Sequence, residues 1–187
     1  TTMRPYHVLE CDTLANIQES TLNFIDTHYP KLKNEDALWH KVDTTEYVRS
    51  CEPLVAWTRK LGLRIREVSF TVVTGPKDVA LHIDEKPVMA KINVPILNTQ
   101  NSYNQWFEIP HSIIAENQKT NRFGEKYYQF EDKDISDFKM VGEVELIKPI
   151  VFKSGIAHNI VFNDQAKFPR VVLSCMFYNE PIGYLEN

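Results

Sequence analysis

Arg64-Ile65-Arg66-Glu67-Val68-Ser69-Phe70-Thr71-Val72-Val73 is rich in β-branched and aromatic residues and runs into the turn signal Gly75-Pro76. It reads as a strand, and the chain beyond it repeats the pattern. Short strand-like runs recur at 79–83, 88–97, 103–109, 126–130, 138–146, 150–152, 158–162 and 170–178. Polar or turn-forming residues separate them at 98–102, 121–124, Ser154-Gly155 and Asn163-Asp164. A succession of short strands without intervening helices predicts a sandwich or barrel rather than a βαβ fold. The expected architecture is mainly β with flanking helices, the strands forming a jelly roll.

Upstream of residue 64 the pattern is helical. Leu14, Ile17, Leu22, Phe24 and Ile25 predict a helix opened by Asp12-Thr13 and closed before Pro30. A second helical stretch covers 46–61 and stops at Gly62; Pro53 inside it either kinks the helix or starts a new one. At 187 residues the chain suits one domain, 1–187, with residues 1–63 packed on a β core at 64–180.

Composition narrows the function classes. The chain is 43% hydrophobic and 25% charged, with a net charge of -4 and no run of five like charges. Without a basic stripe, duplex nucleic acid is not an expected partner. Cys11, Cys51 and Cys175 form an odd set without metal-finger spacing, which suits reduced thiols and a cytoplasmic location. No 18-residue apolar run occurs, and Thr1-Thr2-Met3-Arg4-Pro5-Tyr6 is too polar for a signal peptide, so no membrane is expected either. Ser154 and Ser174 have no GxSxG setting, and no P-loop or GxGxxG is present.

His82-Ile83-Asp84 closes the run at 79–83 and reaches one residue past it, and on an extended strand residues two apart point to the same face. His158 opens another run 74 residues later, a separation that a jelly roll can close. Two imidazoles and a carboxylate suit Fe(II), Mn(II) or Zn(II) equally. A single H-x-D pair is also a common chance occurrence, and a strand histidine is more often structural. Lys91 and Asn93 alternate with Ile92 and Val94, so one face of that strand is polar: either solvent-facing or lining a barrel that holds an anion. Arg170, in register with Val172 and Ser174, opens a strongly apolar run. It is either the wet end of a strand or a buried guanidinium that needs an anion.

In chain order, His82-x-Asp84, Lys91-Ile92-Asn93-Val94-Pro95-Ile96, Val151-Phe152, His158-Asn159 and Arg170-Val171-Val172-Leu173-Ser174 resemble the Fe(II)/2-oxoglutarate-dependent oxygenases. Within that superfamily they are most similar to the aspartyl/asparaginyl β-hydroxylase-like branch. The resemblance covers residues 66–178 and implies a cupin-like double-stranded β-helix. It implies His82, Asp84 and His158 as iron ligands and Arg170 as the anchor for the distal carboxylate of 2-oxoglutarate. The family's basic strand position falls on Lys91 and its histidine position on Asn93. Both are departures: Lys91 keeps the charge without the bidentate fork, and Asn93 hydrogen-bonds but carries no charge. Asp84 supplies a carboxylate that some of the branch lacks. The implied reaction consumes O2 and 2-oxoglutarate, releases succinate and CO2, and hydroxylates a small-molecule or peptide substrate.

Two alternatives stand beside this reading. One is a cupin-like metal protein, an isomerase or lyase, with no need of Arg170. The other is a non-catalytic jelly-roll binding module with His82 and His158 far apart. His7, His28, His40 and His111 read as surface or capping residues. Trp106-Phe107 are core aromatics or the lining of a substrate mouth. Tyr103, Asn98 and Asn101 are candidate polar contacts by position alone, and the polar segment 116–137 is a lid or a solvated hairpin.

Overall fold

The computed structural model describes residues 3–84, 89–122, 124–130 and 134–187. Val88, at the head of the expected 88–97 strand, lies outside them, as do Phe123 and residues 131–133 of the polar segment. The elements in chain order are β1 (Tyr6–Val8), α1 (Leu14–His28), β2 (Ala37–Lys41), α2 (Thr44–Ser50), α3 (Glu52–Lys60), β3 (Ile65–Val73), β4 (Val79–Asp84), β5 (Ala90–Leu97) and β6 (Ser102–Glu108). They continue with α4 (His111–Glu116), β7 (Gln118–Thr120), β8 (Lys126–Gln129), β9 (Lys139–Glu145), β10 (Ile150–Lys153), β11 (Ala157–Phe162) and β12 (Arg170–Phe177).

The strands form two six-stranded sheets, ordered β1-β10-β5-β12-β3-β2 and β7-β8-β4-β11-β6-β9. Every ladder is antiparallel, giving the jelly roll of a double-stranded β-helix. Period-two alternation in the first sheet decides what fills each side. Val68, Phe70 and Val72, with Ile92, Val94, Ile96, Val171, Leu173 and Cys175, share one apolar core with Ile17, Phe24, Ile25, Tyr47 and Leu54 from the helices. The intervening residues of the same strands face the second sheet. The polar face of β5 is therefore internal, since helices cover its apolar face.

Local chemistry sets the helix ends. α1 buries Ile17, Thr21, Phe24 and Ile25, one stripe at helical spacing, and Gln18 Nε2 donates to the Pro95 carbonyl at 3.0 Å. Of the two readings of 46–61, the one in which a new helix starts at Pro53 describes the fold: the stretch forms two helices. Asp43 caps α2 by accepting from the Glu46 N–H at 2.9 Å, Cys51 breaks the path, and Pro53 sits in the first turn of α3, where a missing N–H costs nothing. Gly62, at φ +74, terminates α3.

The helical reading of the first third also needs correction, because it contains β1 and β2. Both are short strands at opposite edges of the first sheet, β1 on β10 and β2 on β3. The ring of Tyr6 crosses to stack on Trp106 of the other sheet, centroids 4.9 Å apart. Trp106, Leu146, Ile150, Phe152 and Val172 pack apolar side chains between the sheets on this side. Trp106 and Phe107 are both core: Phe107 faces the other way, into a cluster with Leu81, Ile83 and Phe130 on which α4 packs through Ile113 and Ile114. The segment 116–137 contains the β7–β8 hairpin, which extends the second sheet beyond β4. Among the described residues no helix is long and apolar enough to cross a membrane.

Candidate metal centre

β4 and β11 are neighbours in the second sheet, and His82 and His158 are direct cross-strand partners. Their rings lie 4.4 Å apart. Asp84, one alternation step beyond His82, brings its carboxylate to the same point: His82 Nε2 to Asp84 Oδ1 is 3.6 Å and His158 Nε2 to Asp84 Oδ2 is 3.7 Å. One candidate ligand atom from each of the three residues lies within 4.8 Å of the others. Among the described residues this is the one such cluster. The remaining histidines have other company: His7 stacks on Tyr184, His28 faces Glu46, His40 packs edge-on to Tyr29, and His111 opens α4.

Each imidazole is held by its own strand. His82 Nδ1 lies 2.8 Å from the Ala80 carbonyl, and His158 Nδ1 lies 2.7 Å from that of Ile156. A carbonyl only accepts, so Nδ1 of each ring carries a proton, and Nε2 is the nitrogen that faces Asp84. A metal-binding histidine uses this arrangement, its second nitrogen fixed by a backbone acceptor. The β4–β11 ladder shifts register between His158/His82 and Ile160/Val79. This bulge turns Val79, which strict alternation would place outside with Leu81, toward the interior.

The electrostatics of His158 and Asp84 match the protonation states of metal ligands. Burial pushes the His158 pKa down to about 4, with His82 adding to the effect and Asp84 opposing it, so the ring is neutral at neutral pH. Burial alone would raise the Asp84 carboxyl, but neighbouring positive charge, the Lys91 ammonium first, outweighs it and holds the group well below the ordinary carboxylate range. Lys91 reaches across from β5, its Nζ 3.3 Å from Asp84 Oδ2, and is only 8% exposed. Arg170, 1% exposed, also crosses between the sheets: its Nε donates to Ser102 Oγ at 2.9 Å and its Nη2 to Asn104 Oδ1 at 3.2 Å. Burial lowers its pKa to about 10, which leaves it charged, and among the described residues no carboxylate pairs with it.

These groups border a cavity of about 430 Å³ between the sheets. His82, Asp84, His158, Lys91 and Asn93 line it directly; Arg170 lies behind Asn104, which does. Asn93 Oδ1 is buried and has no hydrogen-bond partner. Tyr103, Asn98 and Asn101 are not among the lining residues, and Asn98 instead donates to the Pro169 carbonyl. Sequence reasoning missed Asn104, Tyr127, Gln129 and Trp39, which do line the cavity. Tyr127 and Gln129 are the β8 partners of Asp84 and His82, so they flank the cluster on the same face. The signal for them was the hairpin: had its register been legible, period two would have placed both inward. Trp39 belongs to β2, where no strand was expected.

No family model matches the chain, and no curated protein matches it. Solved structures do. HygX from Streptomyces hygroscopicus, with nickel and 2-oxoglutarate bound, is 10% identical over 92% of this chain and 81% of that one, at a TM-score of 0.55. The epimerase SnoN, in complex with Fe3+, alpha ketoglutarate and nogalamycin RO, is 13% identical over 98% and 85%, at a TM-score of 0.50. These likenesses do not single out the aspartyl/asparaginyl β-hydroxylase-like branch. What they show is the fold, a jelly roll of the cupin-like kind.

Proposed function

We propose that this protein is an Fe(II)- and 2-oxoglutarate-dependent dioxygenase that hydroxylates a small molecule or peptide. The observation that carries the reading is the convergence of two backbone-pinned Nε2 lone pairs and the Asp84 carboxylate on one point of the cavity wall. Three such donors occupy one face of an octahedral ion and leave the rest for exchangeable ligands. The donor set fits a divalent metal; the two buried cations beside it favour an acidic co-substrate and hence iron over a purely hydrolytic ion. HygX and SnoN, solved with a metal and this co-substrate, support the choice. When bound, iron and 2-oxoglutarate supply the oxidation: O2 contributes one atom to succinate, released with CO2, and one to the substrate C–H bond, which becomes C–OH.

The chain's own residues have separate tasks. His82, Asp84 and His158 hold the metal. Arg170, buried without a carboxylate, is the anchor for the distal carboxylate, reached past Asn104. Lys91 and Asn93 line the same space and complete the co-substrate side, the Lys91 ammonium and the Asn93 side-chain N–H serving as donors to a carboxylate. Three free thiols suit a reducing, cytoplasmic setting.

The test is anaerobic. Fe(II) plus 2-oxoglutarate should give a weak visible band, both should bind by calorimetry, and admission of O2 should release succinate even without substrate. His82→Ala should abolish all three. Metal binding without 2-oxoglutarate binding would point to a cupin-like isomerase or lyase, and binding of neither would leave a jelly-roll binding module.

A further inference from the structure

Lys91 has a second role to account for, because its ammonium lies against a residue assigned to the metal. Lys91 is on β5 of the first sheet and Asp84 at the end of β4 in the second, so their 3.3 Å contact spans the cavity. Among the described residues Asp84 is the only carboxylate that Lys91 meets. Imidazoles that ligate a metal are neutral, so in that state Asp84 and Lys91 cancel and the four side chains His82, His158, Asp84 and Lys91 carry no net charge of their own. The divalent ion itself then leaves the group two charges positive in a partly enclosed cavity, and Arg170, behind Asn104, adds a third positive charge to its wall. Uncompensated charge in such a setting is costly. A dicarboxylate would remove two of those charges.

We propose that Lys91 is an internal stand-in for the metal: it neutralises Asp84 in the metal-free protein, opposes binding of a divalent ion alone, and thereby couples metal binding to dicarboxylate binding. This rests on the metal reading given above and adds a thermodynamic consequence to it. Lys91 is a positioning residue in this scheme, and its signature is a coupling factor. Coupling is reciprocal, so each ligand must tighten the other by the same ratio.

The experiment is calorimetric titration of chelator-stripped protein with Mn(II), with and without saturating 2-oxoglutarate, for wild type, Lys91→Met and Lys91→Arg. Wild type should bind Mn(II) on the order of tenfold or more tightly with 2-oxoglutarate present. Lys91→Met should bind Mn(II) alone several-fold more tightly than wild type and lose most of that ratio. Lys91→Arg, which keeps the charge, should retain it. Thermal melting guards against a folding artefact: Mn(II) alone should raise the Tm of Lys91→Met by more than that of wild type. If Lys91→Met binds Mn(II) alone more weakly with the ratio unchanged, Lys91 only orients Asp84 and the inference is overturned. If wild type binds no metal, the metal reading fails and takes this one with it.

Discussion

His82 and His158 face each other across the β4–β11 ladder, and each ties its Nδ1 to the carbonyl two residues before it. The same local motif, repeated on adjacent antiparallel strands, turns both Nε2 atoms toward Asp84. The donor geometry of the proposed metal site is thus set by the strands themselves, and removing one ring should be decisive. In His158→Ala, Mn(II) or Fe(II) should no longer raise the melting temperature, whereas wild type at a hundredfold excess over its dissociation constant should gain about 2.7 kcal/mol. Differential scanning fluorimetry with and without metal reads this directly.

Arg170 should separate folding from ligand capture. It is buried with only neutral acceptors, Ser102 and Asn104, so an apolar side chain of similar length spares the desolvation of an unpaired charge. Arg170→Met is expected to fold with unchanged or slightly higher stability in denaturant. Its affinity for 2-oxoglutarate should fall by roughly a hundredfold, the value of a charge-assisted pair of hydrogen bonds. Unchanged affinity would favour the isomerase or lyase alternative.

The metal-free protein should lose stability in mild acid, and His158 gives the sign. Its pKa is about 4 when folded against an ordinary 6.5, so the unfolded chain takes up the proton first. The stability from keeping the ring neutral is complete above pH 6.5 and drains away as pH falls toward 4, by about 3 kcal/mol at most. Asp84 is held low and titrates beneath this window. Urea midpoints at pH 7.5 and 4.5 should differ more in wild type than in His158→Gln.

Gly142 should resist even a methyl group. A Cβ there would meet Pro5 Cγ at 2.9 Å and the Tyr6 ring at 3.2 Å, and Tyr6 is fixed by its stack on Trp106 and its hydroxyl's bond to the Glu143 carbonyl. Gly142→Ala is expected to cost about 1–3 kcal/mol in a denaturant melt. Pro5→Gly in the same chain should remove much of that penalty, since the shortest contact, at 2.9 Å, is with the Pro5 ring.

How much of this could be read in advance depended on the range of the forces involved. His82 and Asp84 share a face because alternation is local, and the polar stripe of Lys91 and Asn93 was visible for the same reason. That the stripe points inward was not, since it follows from helices covering the opposite face. β1 and β2 escaped notice because they are edge strands of three and five residues, held by the partner's ladder rather than by their own composition. The association of His158 with His82 was legible only through a family resemblance. The contact of Lys91 with Asp84 was not legible at all, because nothing within either strand encodes a distance between sheets.

That division between sheets has a mechanical meaning. His82, Asp84 and His158 all hang from the second sheet, on two strands bonded to each other, whereas Lys91 and Arg170 hang from the first. If the two sheets drew apart or slid by a fraction of an ångström, the triad would travel as one rigid plate, and both cations would move relative to it. Sequence drift in the layer between the sheets can therefore retune the grip on an anion while leaving the donor triangle untouched.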